Sequence, residues 1–400
     1  MDYIRTSFRL GMFGKHFRPI LFRLITNRRK IMYLCILQFI VNPVKKYEVF
    51  TERILGMAKL TLPRSYRYIL RVEKTGKFRK FSYLCRMKYE KPPLTYQAQI
   101  ELLKSRGVVF ADEAKAAYQL ANVSYFRLSA YMFPFKKNIG GKIVDEFRYG
   151  TTWKDIYDMY VFDRKLRLLV FDAVEKIEVA IRTQMVYILS HRYGSHWQDD
   201  EMIYKPKRTI RLNDESEKEI DVYGDIQKHI NEHLHNNQAE LFIEHYRDTY
   251  DDPVNPPSWM CVEVMYFNQL SRIYSNLEKR SDRAEIARSF ALPPDDFTSW
   301  LHTMNYVRNI CAHHARLWNR DLKIVPSMLK FSKTRIWISN PELVQRSKVY
   351  YFLCMINYML QTVNVNSTFT LRLKELLREY KPKISAMGFP EKWEEEKIWQ

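Results

Sequence analysis

A chain of 400 residues with 46% hydrophobic and 14% aromatic content can bury a full core, which excludes a disordered chain and leaves room for two or three units. Eleven Gly against 23 Phe, 27 Tyr and 16 Met favour helices over short strands and turns, so the expected fold class is all-α. The formal charge of +20 suggests a polyanionic partner, but residues 1–86 hold 20 Lys and Arg against 4 Asp and Glu, a net of +16, which leaves +4 for 87–400.

Residues 1–86 therefore differ from the rest, with basic clusters such as Arg28-Arg29-Lys30 and Lys77-Phe78-Arg79-Lys80 and no sustained helical period. Two readings compete. The segment is a basic arm that grips RNA phosphates, or translation begins at Met87 and the upstream stretch is not native protein; the second is preferred because Met87 directly precedes organised sequence. The apolar run from Ile31 to Val41 is too short to span a bilayer and too far from the N-terminus for an ordinary signal peptide, so no membrane association is expected. The five cysteines, Cys35, Cys85, Cys261, Cys311 and Cys354, are scattered and form no C-x-x-C pair, which suits a reducing cytoplasm.

Residues 87–150 read as a small N-terminal helical unit. Thr95 predicts an N-cap for a helix carrying Ile100, Leu102 and Leu103 to a stop at Gly107. An aromatic-rich helix follows with Tyr125-Phe126-Arg127-Leu128 and Tyr131-Met132-Phe133, for which core packing is favoured over base stacking. Residues 151–325 read as the main bundle. The stretch 153–193 lacks Gly and Pro, and Leu166, Val170, Ala173, Ile177, Ile181 and Ile188 mark one face of a long helix. On its other side Arg164, Arg167, Glu175, Glu178 and Arg182 fall within an arc of about 80°, either as a solvated salt-bridge face or as support for an active site.

Residues 198–256 form a polar insertion with one or two helices, and Trp259–Leu277 resumes an apolar helical period. In the insertion His229, Glu232, His233 and His235 cluster without the order of a zinc motif, so no metal and no cofactor are expected. Pro293-Pro294-Asp295-Asp296 predicts a helix start. At 100° per residue the helix after it places His302, Tyr306, Asn309, His313, Arg316 and Arg320 within about 40° of one line. Trp300, Met304, Val307, Cys311 and Trp318 lie opposite as an apolar stripe. Residues 326–400 supply closing helices from Val349 to Leu360 and from Thr370 to Tyr380.

RNA is cleaved without metal when a base removes the 2′-OH proton, the oxygen attacks the neighbouring phosphorus and an acid protonates the departing 5′-oxygen. His313 suits either proton transfer, since imidazole holds both protonation states near neutrality. Arg308 could neutralise charge on the phosphorane oxygens, and Asn309 could orient the imidazole or the phosphate. Arg308 lies about 140° around the helix from His313, so it reaches in from the flank, an offset that hints at a dimer. The accessory or RNA-binding candidates are Glu178, Arg182, Tyr306, Arg316 and Arg127. A non-catalytic module that holds a small structured RNA with the same basic and aromatic residues is the rival reading.

The run Arg308-Asn309-Ile310-Cys311-Ala312-His313-His314-Ala315-Arg316-Leu317-Trp318-Asn319-Arg320 resembles the Abi abortive-infection family, of the AbiD/AbiF type, within the HEPN superfamily. The resemblance extends over Lys91–Gly107, Tyr125–Tyr131, Phe162–Arg167, Ile177–Arg182 and Pro257–Met260, about residues 87–325 in all. It implies a helical HEPN bundle, a ribonuclease motif matched by Arg308 and His313 with Asn309 as its polar partner, and a homodimer with one motif from each chain. It also implies bacterial phage defence or toxin–antitoxin action, with an RNA substrate and a small non-coding RNA as regulator. Asn268-Gln269 stand where the family pattern has a Gly before Leu270-Ser271.

Overall fold

The computed structural model describes residues 24–27, 30–33, 91–211, 216–234 and 239–400. Met1–Pro93 and Leu94–Gln400 are separate units. In the first, β1 (Leu24–Asn27) and β2 (Lys30–Tyr33) pair antiparallel; the rest of the expectations for 1–86 lie outside the described residues. No helix among the described residues is long and apolar enough to cross a membrane.

The second unit is dominated by helices, as the composition predicts. It opens with α1 (Tyr96–Ser105), capped by Thr95, whose Oγ1 accepts from the Ala98 N–H at 3.2 Å. α1 stops where the sequence places the stop. Gly107 takes φ +97°, its N–H bonds the Lys104 carbonyl, and the Val108 N–H bonds that of Leu103. α2 (Glu113–Val123) and α3 (Tyr125–Met132) follow, then the antiparallel hairpin β3 (Lys136–Ile139) and β4 (Lys142–Phe147). Ile100, Leu103, Ala116, Leu120, Leu128 and Phe147 form a small core that closes on Trp153 and Ile156.

Those two residues begin α4 (Trp153–Tyr193), 41 residues and about 60 Å long, started by a reciprocal capping box between Thr152 and Asp155. Its predicted apolar face, Leu166, Val170, Ala173, Ile177, Ile181 and Ile188, is buried in the main core. The opposite arc is not uniformly solvated: Arg164 and Glu175 are exposed, whereas Arg167 and Arg182 are buried.

The insertion contains an antiparallel hairpin, β5 (Arg208–Arg211) with β6 (Glu217–Ile220), as well as the helices α5 (Val222–Leu234) and α6 (Leu241–Thr249). The apolar period over Trp259–Leu277 is broken into α7 (Ser258–Cys261) and α8 (Phe267–Asn276). The break has a local cause. Arg182 donates to the carbonyls of Val262, Glu263 and Met265 at 2.7, 2.6 and 3.1 Å, and the His229 Nε2 lies 3.3 Å from that of Val264. These partners satisfy carbonyls that a continuous helix would have bonded internally. Gln269 caps α8, its Oε1 accepting from the Tyr266 N–H at 2.7 Å.

α9 (Arg280–Arg288) leads to α10 (Pro294–Ala312), whose first turn carries the predicted Asp295 and Asp296. α11 (Val349–Val363) is buried continuously from Val349 to Leu360, and α12 (Phe369–Tyr380) packs along α4 to complete the bundle.

Candidate active site

α10 does not run on to Arg320 as the stripe of polar residues predicts; it ends at Ala312. His313 is its C-cap, and His314 takes the left-handed conformation at φ +56°. The His314 N–H bonds the Cys311 carbonyl at 3.1 Å and the Ala315 N–H that of Ile310 at 2.9 Å, the same two bonds that close α1 around Gly107. A histidine is an uncommon choice for that position, and no glycine announced the stop.

Beyond the stop the chain descends onto α4. The Leu317 and Trp318 N–H groups donate to one oxygen of Asp163 at 3.0 and 2.7 Å, and the Tyr131 hydroxyl donates to the other at 2.6 Å. Arg167, one turn along α4, pairs with that second oxygen. Asp163 is fully buried, and burial pushes its carboxyl up against the pull of Arg167 and the three neutral donors. On the outer side Arg127 of α3 donates to the His314 carbonyl at 2.7 Å. α3 thus touches the turn at Arg127 directly and at Tyr131 through Asp163, two residues one helical turn apart.

His313 and His314 are both exposed at this turn. Arg308, in the last turn of α10, lies over the Phe171 ring at 5.6 Å, with its Nε 4.0 Å from Glu178 Oε2 and lacking a hydrogen bond. About a third of its side chain remains accessible. Glu178 in turn receives Arg182 at 3.3 Å. Burial raises the Glu178 carboxyl above its ordinary value, while Arg308 and Arg182 pull it down. Asn309 is half-buried and its carbonyl accepts the His313 N–H at 3.0 Å.

The structure thus joins Arg308, Glu178 and Arg182 through charge and ties Arg127 to the turn that carries His313. It does not bring Arg316 and Arg320 onto the α10 stripe. Arg316 turns back toward the carbonyls of Trp318 and Asn319, and Arg320 donates to the Arg316 carbonyl at 2.6 Å. Tyr306 is half-buried against the main core. Asp163 and Tyr131 were missed as parts of the site, whereas Arg167 belongs to the arc read as possible support for it; an aspartate inside a buried helix face, four residues before that arginine, was the available signal. The His229 and His233 rings lie tilted against each other, centroids 4.1 Å apart, beside Tyr266, and no group of three or more metal-ligating side chains occurs among the described residues.

Helical packing around α4, with an Arg-Asn pair ending one helix and an exposed histidine on the locked turn behind it, defines a helical protein with a polar motif at a helix end. A family model described as Abi-like protein matches residues 118–319, just over half of the chain, and the chain belongs to this family. No curated protein and no solved structure matches it. The matched span takes in α3, α4 and the whole motif turn to Asn319, and the family association points to abortive-infection phage defence.

Proposed function

We infer that this protein is an endoribonuclease of HEPN type that cleaves single-stranded RNA by attack of the 2′-oxygen on the neighbouring phosphorus, in bacterial phage defence or a toxin–antitoxin pair. The observation that carries the reading is an exposed His313, on a turn anchored from beneath by Asp163, five residues after a partly accessible Arg308. An imidazole on that turn can take the 2′-OH proton or give one to the 5′-oxygen, and which of the two falls to His313 depends on the strand's direction across the turn. Arg308, about a third of whose side chain is accessible, offers charge and donors to the phosphorane oxygens. Asn309 holds the His313 backbone and supplies a nearby amide. The products are a 2′,3′-cyclic phosphate and a 5′-hydroxyl: the 2′-OH proton passes to a base and the 5′-oxygen receives one from an acid, His313 taking one of these roles and the His313 imidazole of a second copy the other.

His313→Ala and Arg308→Ala should each lower cleavage of single-stranded RNA by about 10²–10⁴-fold while leaving the fold intact, because neither side chain is part of the buried core. Wild-type cleavage should persist in EDTA. Equal cleavage by wild type and both variants would remove the catalytic assignment, and activity lost to chelation and restored by zinc or magnesium would replace it with a metal-dependent one. The rival, a non-catalytic module that holds a small structured RNA, draws on the engagement of Arg308 by Glu178 and Phe171. It predicts RNA binding without cleavage in the same assay.

A further inference from the structure

The aromatic segment that follows Ser124 is only half used by the core. Leu128, Tyr131 and Met132 are buried, but Phe126 is 89% exposed and Phe133 57% exposed. Phe133 borders a concavity of about 610 Å³ between the β3–β4 hairpin and the segment after α12. Lys136, Lys137, Arg148 and Lys383 line the same concavity, and no carboxylate does. Asp145 and Glu146 pair with Lys136 and Lys137, each at 2.7 Å. The surplus charge therefore rests on Arg148 and Lys383, which have no acidic partner among the described residues.

An open groove that combines unneutralised cations with an exposed aromatic face matches the two needs of an unpaired nucleic acid strand. Phosphates run along the cations, and an unstacked base lies on the ring. A duplex offers the phosphates but keeps its bases stacked within, so the ring would gain nothing from it. The groove is also tied to the motif turn, since Phe133 follows Arg127 by six residues, about 9 Å of helical rise, and Arg127 bonds the His314 carbonyl.

We propose that this groove is a binding site for single-stranded RNA, with Phe133 as the stacking platform and Arg148 and Lys383 as phosphate contacts. The proposal rests on the ribonuclease reading only in taking RNA as the ligand. The His313→Ala protein, which should bind without cutting, is titrated against a fluorescein-labelled oligouridylate by anisotropy over a series of salt concentrations. Phe133→Ala in that background should weaken binding by about 5- to 100-fold. Lys383→Gln should reduce the slope of log K against log salt by about 0.7, and Lys383→Arg should restore it. Both positions are exposed, so unchanged melting temperatures are expected and serve as the folding control. Unaltered affinity and slope in Phe133→Ala and Lys383→Gln would overturn the groove even if the wild type cleaves RNA. Loss of binding in both variants, with no cleavage by the wild type, would uphold the groove and remove the ribonuclease reading. Equal competition by duplex RNA would overturn the preference for single strands.

Discussion

Glu178 sits between the guanidinium groups of Arg182 and Arg308, and burial raises its carboxyl above the ordinary 4.5. A raised value in the fold means that the group's contribution to stability is fully present below 4.5 and is lost as pH rises through the folded value. Glu178→Gln stays neutral throughout. The melting temperature of wild type minus that of the variant should therefore fall as pH climbs from 4.5 toward neutrality; a difference independent of pH would show that the two arginines compensate the burial completely. His314 makes a separate point at the same scale. Its left-handed backbone ends α10 and presents the carbonyl that Arg127 binds, so its role in the turn is carried by the main chain.

At the scale of elements, α3 and α4 hold the motif turn from two sides, and the two grips differ in energy. Asp163→Ala would leave Arg167 as a buried unpaired charge and would strip the Leu317 and Trp318 N–H groups of their acceptor. The expected loss is about 3–5 kcal/mol, read from urea unfolding at neutral pH, and a loss under about 1 kcal/mol would mean that the turn finds other partners. Arg127 is exposed, so Arg127→Ala should change stability by no more than about 0.5 kcal/mol. Its effect should be local, as faster amide exchange at residues 313–318; unchanged exchange there would show that Asp163 alone fixes the turn.

For the whole molecule the question is how one motif per chain becomes a working cleft. Arg308 reaches from the flank of α10 and His313 projects from the turn beyond its end, so a second copy of the same surface would double the donors and imidazoles available to one phosphate. The active species is accordingly expected to be a homodimer with two sets of Arg308, Asn309 and His313 around a shared cleft. Sedimentation velocity at assay concentration should show it, and a fully active monomer would rule it out.

The sequence by itself determined the helical class, the cap of α1 and the buried stripe of α4. All of these follow from residue identity at helical spacing, because a helix brings together residues three and four apart and buries whichever face is apolar. Tertiary structure decided where helices stop. Neither the break between α7 and α8 nor the end of α10 carries a glycine or proline at the breaking point. Arg182, 80 or more residues away in sequence, caps the first, and Asp163 and Arg127 anchor the chain beyond the second, 154 and 187 residues away. Backbone groups freed from a helix must find partners, and here those partners are supplied by side chains distant in sequence, a dependence that no local pattern encodes. The exposure of Phe126 and Phe133 was hidden for the same reason: periodicity predicts that an aromatic helix packs, whereas only the assembled fold determines which of its rings are left facing water.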